Sequence, residues 1–320
     1  MTDSLRLGVA LVLLLGLSAC GELQNPIARS IDDPVWRNPG LAKRDIDLYR
    51  VGDTWSRESV TENLLLSLPS HEQTWLKRTG RAVYRGGSGT VFIVGKLQDK
   101  WWALSNRHVF HSTSVCESAT LRFPVLELAA RCVRRMEAWN SHDLALIEIA
   151  FQDNKEPDSL PFLRLPNPPS QTLGDWIASA GFGVAGHTGS IPLTLNRDED
   201  CRAFSSTAFD RIMGNEAVHS FAHGCDVSPG DSGSPIWERE TGRWVGVVWS
   251  GIVPKGDLVQ KSMDLLRWLI LPEEDSQVWE TLNFGVSLAA TRSTWEKAQV
   301  DPATQPELSD VLKELLADPN

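Results

Sequence analysis

The stretch TVFIVGKLQDKWWAL (90–104) narrows what this chain can fold into. Two short runs of β-branched and aromatic residues, 90–94 and 101–104, flank LQDK (97–100), which has the composition of a hairpin turn. A single hairpin cannot bury its apolar face alone, and more strands follow. DLALIEI (143–149) reads as one strand, and DWIASAGFG (175–183) as another that closes on glycines. SPIWERETGRWVGVVWSG (234–251) reads as two strands about a turn containing Gly242. This spacing predicts an all-β sandwich or barrel from about residue 79 onward. Helical signals are sparse. TEN (61–63) before Leu64, Leu65 and Leu66 opens a short helix that Pro69 ends. Residues 264–270 are apolar and stop before Pro272. Residues 306–317 place Leu308, Val311, Leu312, Leu315 and Leu316 at helical spacing. Both of these segments suit packing on a barrel surface.

The 320 residues are enough for a sizeable core, and the net charge of −10 argues against a nucleic-acid partner, which needs a basic face. At the N-terminus Arg6 precedes an apolar run (7–17) too short to span a bilayer as a mature helix. LSAC (17–20) follows and resembles a bacterial lipobox, in which Cys20 is acylated and becomes the first residue. An ordinary signal peptide is the alternative. Gly21, where some lipoproteins carry Asp, favours the outer over the inner membrane by the same resemblance. With Cys20 lipidated, four cysteines remain in two neighbouring pairs. An oxidising compartment favours disulfides, here Cys116 with Cys132 and Cys201 with Cys225, although four cysteines allow three pairings. Free buried thiols are the alternative, and a zinc site is disfavoured because no CxxC spacing is present. Pro26, Pro34 and Pro39 give the following segment the look of a tether.

The chemistry points to SPGDSGSPIW (228–237). A serine hydroxyl needs a base within hydrogen-bond reach, and that base needs a partner to orient it. Histidine suits the base role and a carboxylate the orienting role. His108, in WALSNRHVF, follows a strand end; Asp143, in NSHDLALIEI, begins a strand. Each alone would suit a surface or capping role. The order His, Asp, Ser also disfavours an α/β-hydrolase, which runs Ser, Asp, His. His108 and His111 make a conceivable metal pair, but no third ligand is near, so no metal and no cofactor are expected.

GDSGSP, SNRHV and HDLALIEI together resemble the three signatures of the chymotrypsin-like serine peptidases, over roughly residues 80–300. The resemblance implies an all-β fold of two six-stranded antiparallel β-barrels with the site between them, followed here by a C-terminal helix. With the lipobox and the helical spacing above, the expected division is a lipoprotein signal peptide (1–19), a tether or pro-segment (20–78), the protease domain (79–300) and a helical tail (301–320). The resemblance implies that Ser232 forms an acyl-enzyme, that His108 is base then acid, and that Asp143 orients it. The N–H groups of Gly230 and Ser232 would hold the oxyanion. Asp231 would be structural; in many relatives the equivalent acid pairs with a new N-terminus after zymogen cleavage. No clear activation sequence is present, and Arg78 and Arg81 are the conceivable cleavage points.

Cys225 lies seven residues before Ser232, and Val109 follows His108 where many relatives have cysteine; both resemble the bacterial glutamyl-endopeptidase-like branch. SNRHV is also similar to periplasmic quality-control proteases, but the stretch after Gly251 is too short for their PDZ domain. By the same resemblance, Val248, Trp249, Ser250 and Gly251 form the wall along which a peptide substrate lies. Val248 stands where glutamate-specific relatives carry histidine. Asp226, six before Ser232, either binds a basic substrate side chain or caps its loop; a small or apolar preference is the third choice. Residues 252–281 are expected to be an insertion limiting access, with Trp268 and Leu269 lining the pocket. The expected function is a serine endopeptidase acting on polypeptides, anchored by its lipid in the bacterial cell envelope. The alternatives are a catalytically silent, protease-like binding or scaffold lipoprotein, and an esterase using the same residues.

Overall fold

The computed structural model describes residues 46, 49–51, 55–165, 173–205, 208–213, 216–251, 282–297 and 305–318. Cys20 with the signal segment, the prolines at 26–39, and the 252–281 stretch with Trp268, Leu269 and the 264–270 helix lie outside the described residues.

The described chain enters with a two-residue strand, β1 (Glu58–Ser59), and two helices, α1 (Glu62–Ser67) and α2 (Ser70–Arg78). Thr61 caps α1 by accepting the Leu64 N–H through its hydroxyl (3.2 Å), and Pro69 closes it as the sequence predicts. The same proline then starts α2, which the sequence reading missed. Helix α2 is held by packing rather than by its own periodicity. Trp75 stacks on Trp237 at 5.7 Å, meets Phe92 edge-on at 6.2 Å, and donates its indole N–H to the Gly242 carbonyl (2.8 Å).

Six strands follow: β2 (Thr79–Tyr84), β3 (Gly87–Leu97), β4 (Lys100–Asn106), β5 (Thr120–Phe123), β6 (Leu128–Trp139) and β7 (Leu144–Phe151). They form a closed antiparallel barrel in the order β2-β3-β4-β7-β6-β5. The predicted hairpin joins β3 to β4. Its two-residue turn puts Gln98 and Asp99 at φ 52° and 61°, the primed geometry that matches strand twist. A short helix, α3 (Thr113–Ser118), carries Cys116 to the barrel.

The second half contains β8 (Ile177–Gly181), β9 (Thr194–Asn196), β10 (Phe209–Met213), β11 (Glu216–His223), β12 (Pro235–Glu238), β13 (Trp244–Ser250) and β14 (Asn283–Ser287). The sequence reading expected a second six-stranded barrel. Among the described residues these strands instead form one open sheet with β1, ordered β1-β9-β8-β12-β13-β14-β11-β10. The outer edge of β9 is occupied by β1, where Glu58 pairs with Leu195 and Ser59 with Thr194. Across the remaining gap the described residues make isolated pairs, Ala203 with His223 and Trp176 with Arg202. The Cys201–Cys225 disulfide spans the same region.

Two helices end the described chain where one was expected: α4 (Leu288–Lys297) and α5 (Pro306–Leu316). Leu308, Val311, Leu312 and Leu315 of α5 are buried, as their spacing predicts. Glu307 meets Lys100 of β4 and Arg134 of β6, and Glu314 pairs with Arg164 at 2.6 Å, so α5 lies along the first barrel.

Both expected disulfides form, Cys116–Cys132 and Cys201–Cys225, at sequence separations of 16 and 24. Loops of this size restrict the unfolded chain enough to contribute about 3 kcal/mol each. Replacing either pair by serine is expected to lower the free energy of urea unfolding by about that amount. An unchanged midpoint would show that the bridge adds nothing to stability.

Candidate active site

Asp143 is presented by a one-turn 3-10 helix, Asn140–His142, which leaves it in the left-handed region (φ 44°) just before β7. Asp tolerates that conformation better than most residues. The turn buries the carboxylate and aims it at the end of β4. There Oδ1 accepts the His108 backbone N–H (3.0 Å), and Oδ2 lies 2.6 Å from His108 Nδ1. The backbone is fastened as well, since the Arg107 N–H (2.8 Å) and Asn106 Nδ2 (3.1 Å) both donate to the Asp143 carbonyl. A carboxylate on Nδ1 favours the tautomer with the proton there, which leaves Nε2 as an acceptor.

Ser232 lies in the loop between β11 and β12, and the first barrel holds that loop through Thr90 of β3. The Thr90 N–H donates to the Ser232 carbonyl (2.8 Å). Its hydroxyl donates to the Gly230 carbonyl (2.8 Å) and accepts the Phe182 N–H (3.2 Å). Gly230 and Gly233 have φ of 105° and 92°. A Cβ at Gly230 would strike the Phe182 carbonyl, and one at Gly233 would strike the Thr90 carbonyl, so the sharp turn requires both glycines. The Pro229 carbonyl accepts the Val184 N–H (3.0 Å). In a trans peptide the N–H points opposite to the carbonyl, so the Gly230 N–H is aimed away from Val184.

His108, Asp143 and Ser232 line one cleft of about 460 Å³, together with Val248, Trp249, Ser250 and Gly251. Sequence reasoning missed Tyr49, Val227, Ser228 and Pro229, which also line it. Asp226 is not part of that lining. It is buried, and its carboxylate accepts the Val51 N–H (2.7 Å) and the Ser56 N–H (3.2 Å). Arg78, a conceivable cleavage point, is also buried. Its guanidinium donates to the carbonyls of Ile93 and Val94 (3.0 Å each), and burial lowers its pKa to about 10.

A family model for the trypsin-like peptidase domain matches residues 87–247, just over half of the chain. The chain belongs to the trypsin-like peptidase domain family. No curated protein matches it in sequence. Among solved structures it is similar to the Rv3671c protease from M. tuberculosis in its active form, at 16% identity, covering 84% of this chain and 94% of that one with a TM-score of 0.45. A Glu endopeptidase in complex with MPD is similar at 11% identity, covering 78% and 100%, with a TM-score of 0.46. Within the trypsin-like domain, Thr90 carried no signal in the sequence, because its strand would read the same with valine there.

The turn that presents Asp143 contains a buried titratable group. His142 is fully enclosed; its Nδ1 lies 2.8 Å from Ser141 Oγ, and its ring meets His219 at 5.1 Å. Burial lowers its pKa to about 4, with the Ala290 carbonyl opposing and His219 adding to the shift. As pH falls below the ordinary value of 6.5, the unfolded chain takes up this proton while the folded one resists until about pH 4. The stability of wild type is thus expected to fall by about 3 kcal/mol more than that of His142→Asn between pH 7 and pH 4. Urea titrations of both proteins at the two pH values measure it, and parallel curves would refute it.

Proposed function

We propose that the protein is a serine endopeptidase in which His108, Asp143 and Ser232 act as one catalytic unit. The observation that carries this reading is the buried Asp143 carboxylate, bonded to both the backbone and Nδ1 of a histidine that shares its cleft with Ser232. In this reading His108 Nε2 takes the Ser232 proton as Oγ attacks the peptide carbonyl. The proton passes to the leaving amine, and water repeats the sequence on the acyl-enzyme. The N–H groups of Gly230 and Ser232 receive the oxyanion. A silent scaffold would not need the His108–Asp143 geometry or a loop turned by two positive-φ glycines. On sequence alone, we further propose export with a lipid on Cys20, in the bacterial envelope, and kinship with the glutamyl-endopeptidase-like branch.

A fluorophosphonate is expected to add once to the wild-type protein, at Ser232, and not to His108→Ala or Ser232→Ala. Intact mass followed by peptide mapping reads this. A folded wild type that takes no adduct would overturn the catalytic reading.

The cleft also supports a substrate class. Asp226 spends its carboxylate on Val51 and Ser56, while Tyr49, Val227, Val248 and Trp249 face the cleft without charge. Peptides with an apolar residue before the scissile bond are therefore expected to be cleaved at least ~10-fold faster than those with Arg, Lys or Glu there, because burying an unpaired charge is costly. Equal kcat/KM across such a panel would contradict it.

A further inference from the structure

The residue before Ser232 is a buried acid whose countercharge comes from far away in sequence. Asp231 and the Arg57 side chain are 2% and 4% exposed. The guanidinium grips the carboxylate with both terminal nitrogens, one of them donating to Oδ1 at 2.7 Å. Its remaining hydrogen bonds go to the Asp226 carbonyl (3.1 Å) and to the Thr194 hydroxyl, which accepts from Nε (3.0 Å) and from Nη2. Asp231 Oδ2 accepts the Ser228 N–H (2.9 Å), so the acid ties Arg57 to the loop that carries Gly230 and Ser232.

The neighbourhood fixes Arg57 on both sides. Before it, the Asp226 carboxylate accepts the N–H groups of Val51 and Ser56. After it, β1 pairs with β9, and the Val60 N–H donates to the Leu193 carbonyl (2.9 Å). A residue so placed cannot be exchanged for water without moving Asp231. A buried carboxylate that loses its only bidentate partner must take a proton or turn towards solvent. Turning would drag the 228–233 loop, and with it the Gly230 N–H and the Ser232 hydroxyl.

We propose that Arg57 is a positioning residue for Ser232. From within the uninterrupted chain, it supplies the cation that holds the oxyanion loop in working form, so that no cleavage of the chain is needed to organise the site. This inference rests on the serine endopeptidase reading for its effect on rate, but not for its effect on structure.

The test compares wild type, Arg57→Met and the neutral double variant Arg57→Met with Asp231→Asn. Hydrogen–deuterium exchange of the 226–234 peptide reads the loop whether or not Ser232 reacts. Arg57→Met is expected to exchange faster there while the first barrel stays protected, and the double variant is expected to regain protection because no charge is left unpaired. The fluorophosphonate reaction of Arg57→Met should slow by about 100-fold or more, the effect of losing an oxyanion donor, and should recover when free guanidinium is added. If Arg57→Met does not fold, the double variant carries the comparison, and wild-type exchange and reactivity in it would support the charge argument. Unchanged exchange in Arg57→Met, or loss in the double variant as large as in the single one, would overturn the proposal. An unreactive wild type with the expected exchange pattern would sink the enzyme reading alone.

Discussion

The Asp231 carboxylate is the constraint around which the second half of the molecule is arranged. A buried charge left alone is worth several kcal/mol against folding, and breaking a buried pair typically costs about 3–5 kcal/mol. Arg57 meets that demand with a planar fork that a lysine could not reproduce. Satisfying it has geometric consequences. The chain must run beside the second sheet to deliver Arg57, and β1 caps β9 immediately afterwards. That stretch of the outer edge of β9 is thereby occupied. One electrostatic pair thus joins the loop that carries Ser232 to the stretch of chain that leads into β1.

The first barrel contributes through two contacts that answer different needs. The Asp143 turn fixes His108 by backbone and side chain together: the backbone N–H holds the carboxylate in place, and rotating the imidazole would break the Nδ1 contact. Thr90 fastens the serine loop to β3 through its N–H and its hydroxyl. His108 and Ser232 are carried by different halves of the fold, and Thr90 belongs to the half that carries His108. Packing reinforces the junction, since Trp75 of α2 touches Phe92 of β3 and Trp237 of β12 at once.

Much of this was legible in the sequence where function forces unusual residues. The glycines around Ser232 suit a sharp turn, the histidine and the aspartate sit at strand ends, and four cysteines in two close pairs suggest the disulfides that form, though three pairings were open. The 97–100 turn was readable because a short polar stretch separates two β-type runs. What escaped is what tertiary context alone decides. Helix α2 has too little periodicity to be seen, yet a tryptophan stack holds it. Asp226 was read with two roles open, because its sequence position cannot tell whether the carboxylate faces the cleft or the 51–56 backbone. Arg57 looked like one charge in a tether, since nothing local marks a cation destined for an acid 174 residues away.

The segment between residues 49 and 78 therefore does four kinds of work at once. Tyr49 borders the cleft, and Val51 and Ser56 engage Asp226. Arg57 and β1 engage Asp231 and β9, and α2 fills the seam between barrel and sheet. Apart from Tyr49, these contacts cover groups of the trypsin-like portion: buried carboxylates, a strand edge and an apolar seam. Such dependence runs in both directions, because a segment this short has no core of its own and is ordered only by what it covers. The serine loop and the N-terminal segment are thus joined through the Arg57–Asp231 pair, and a change in one is felt by the other.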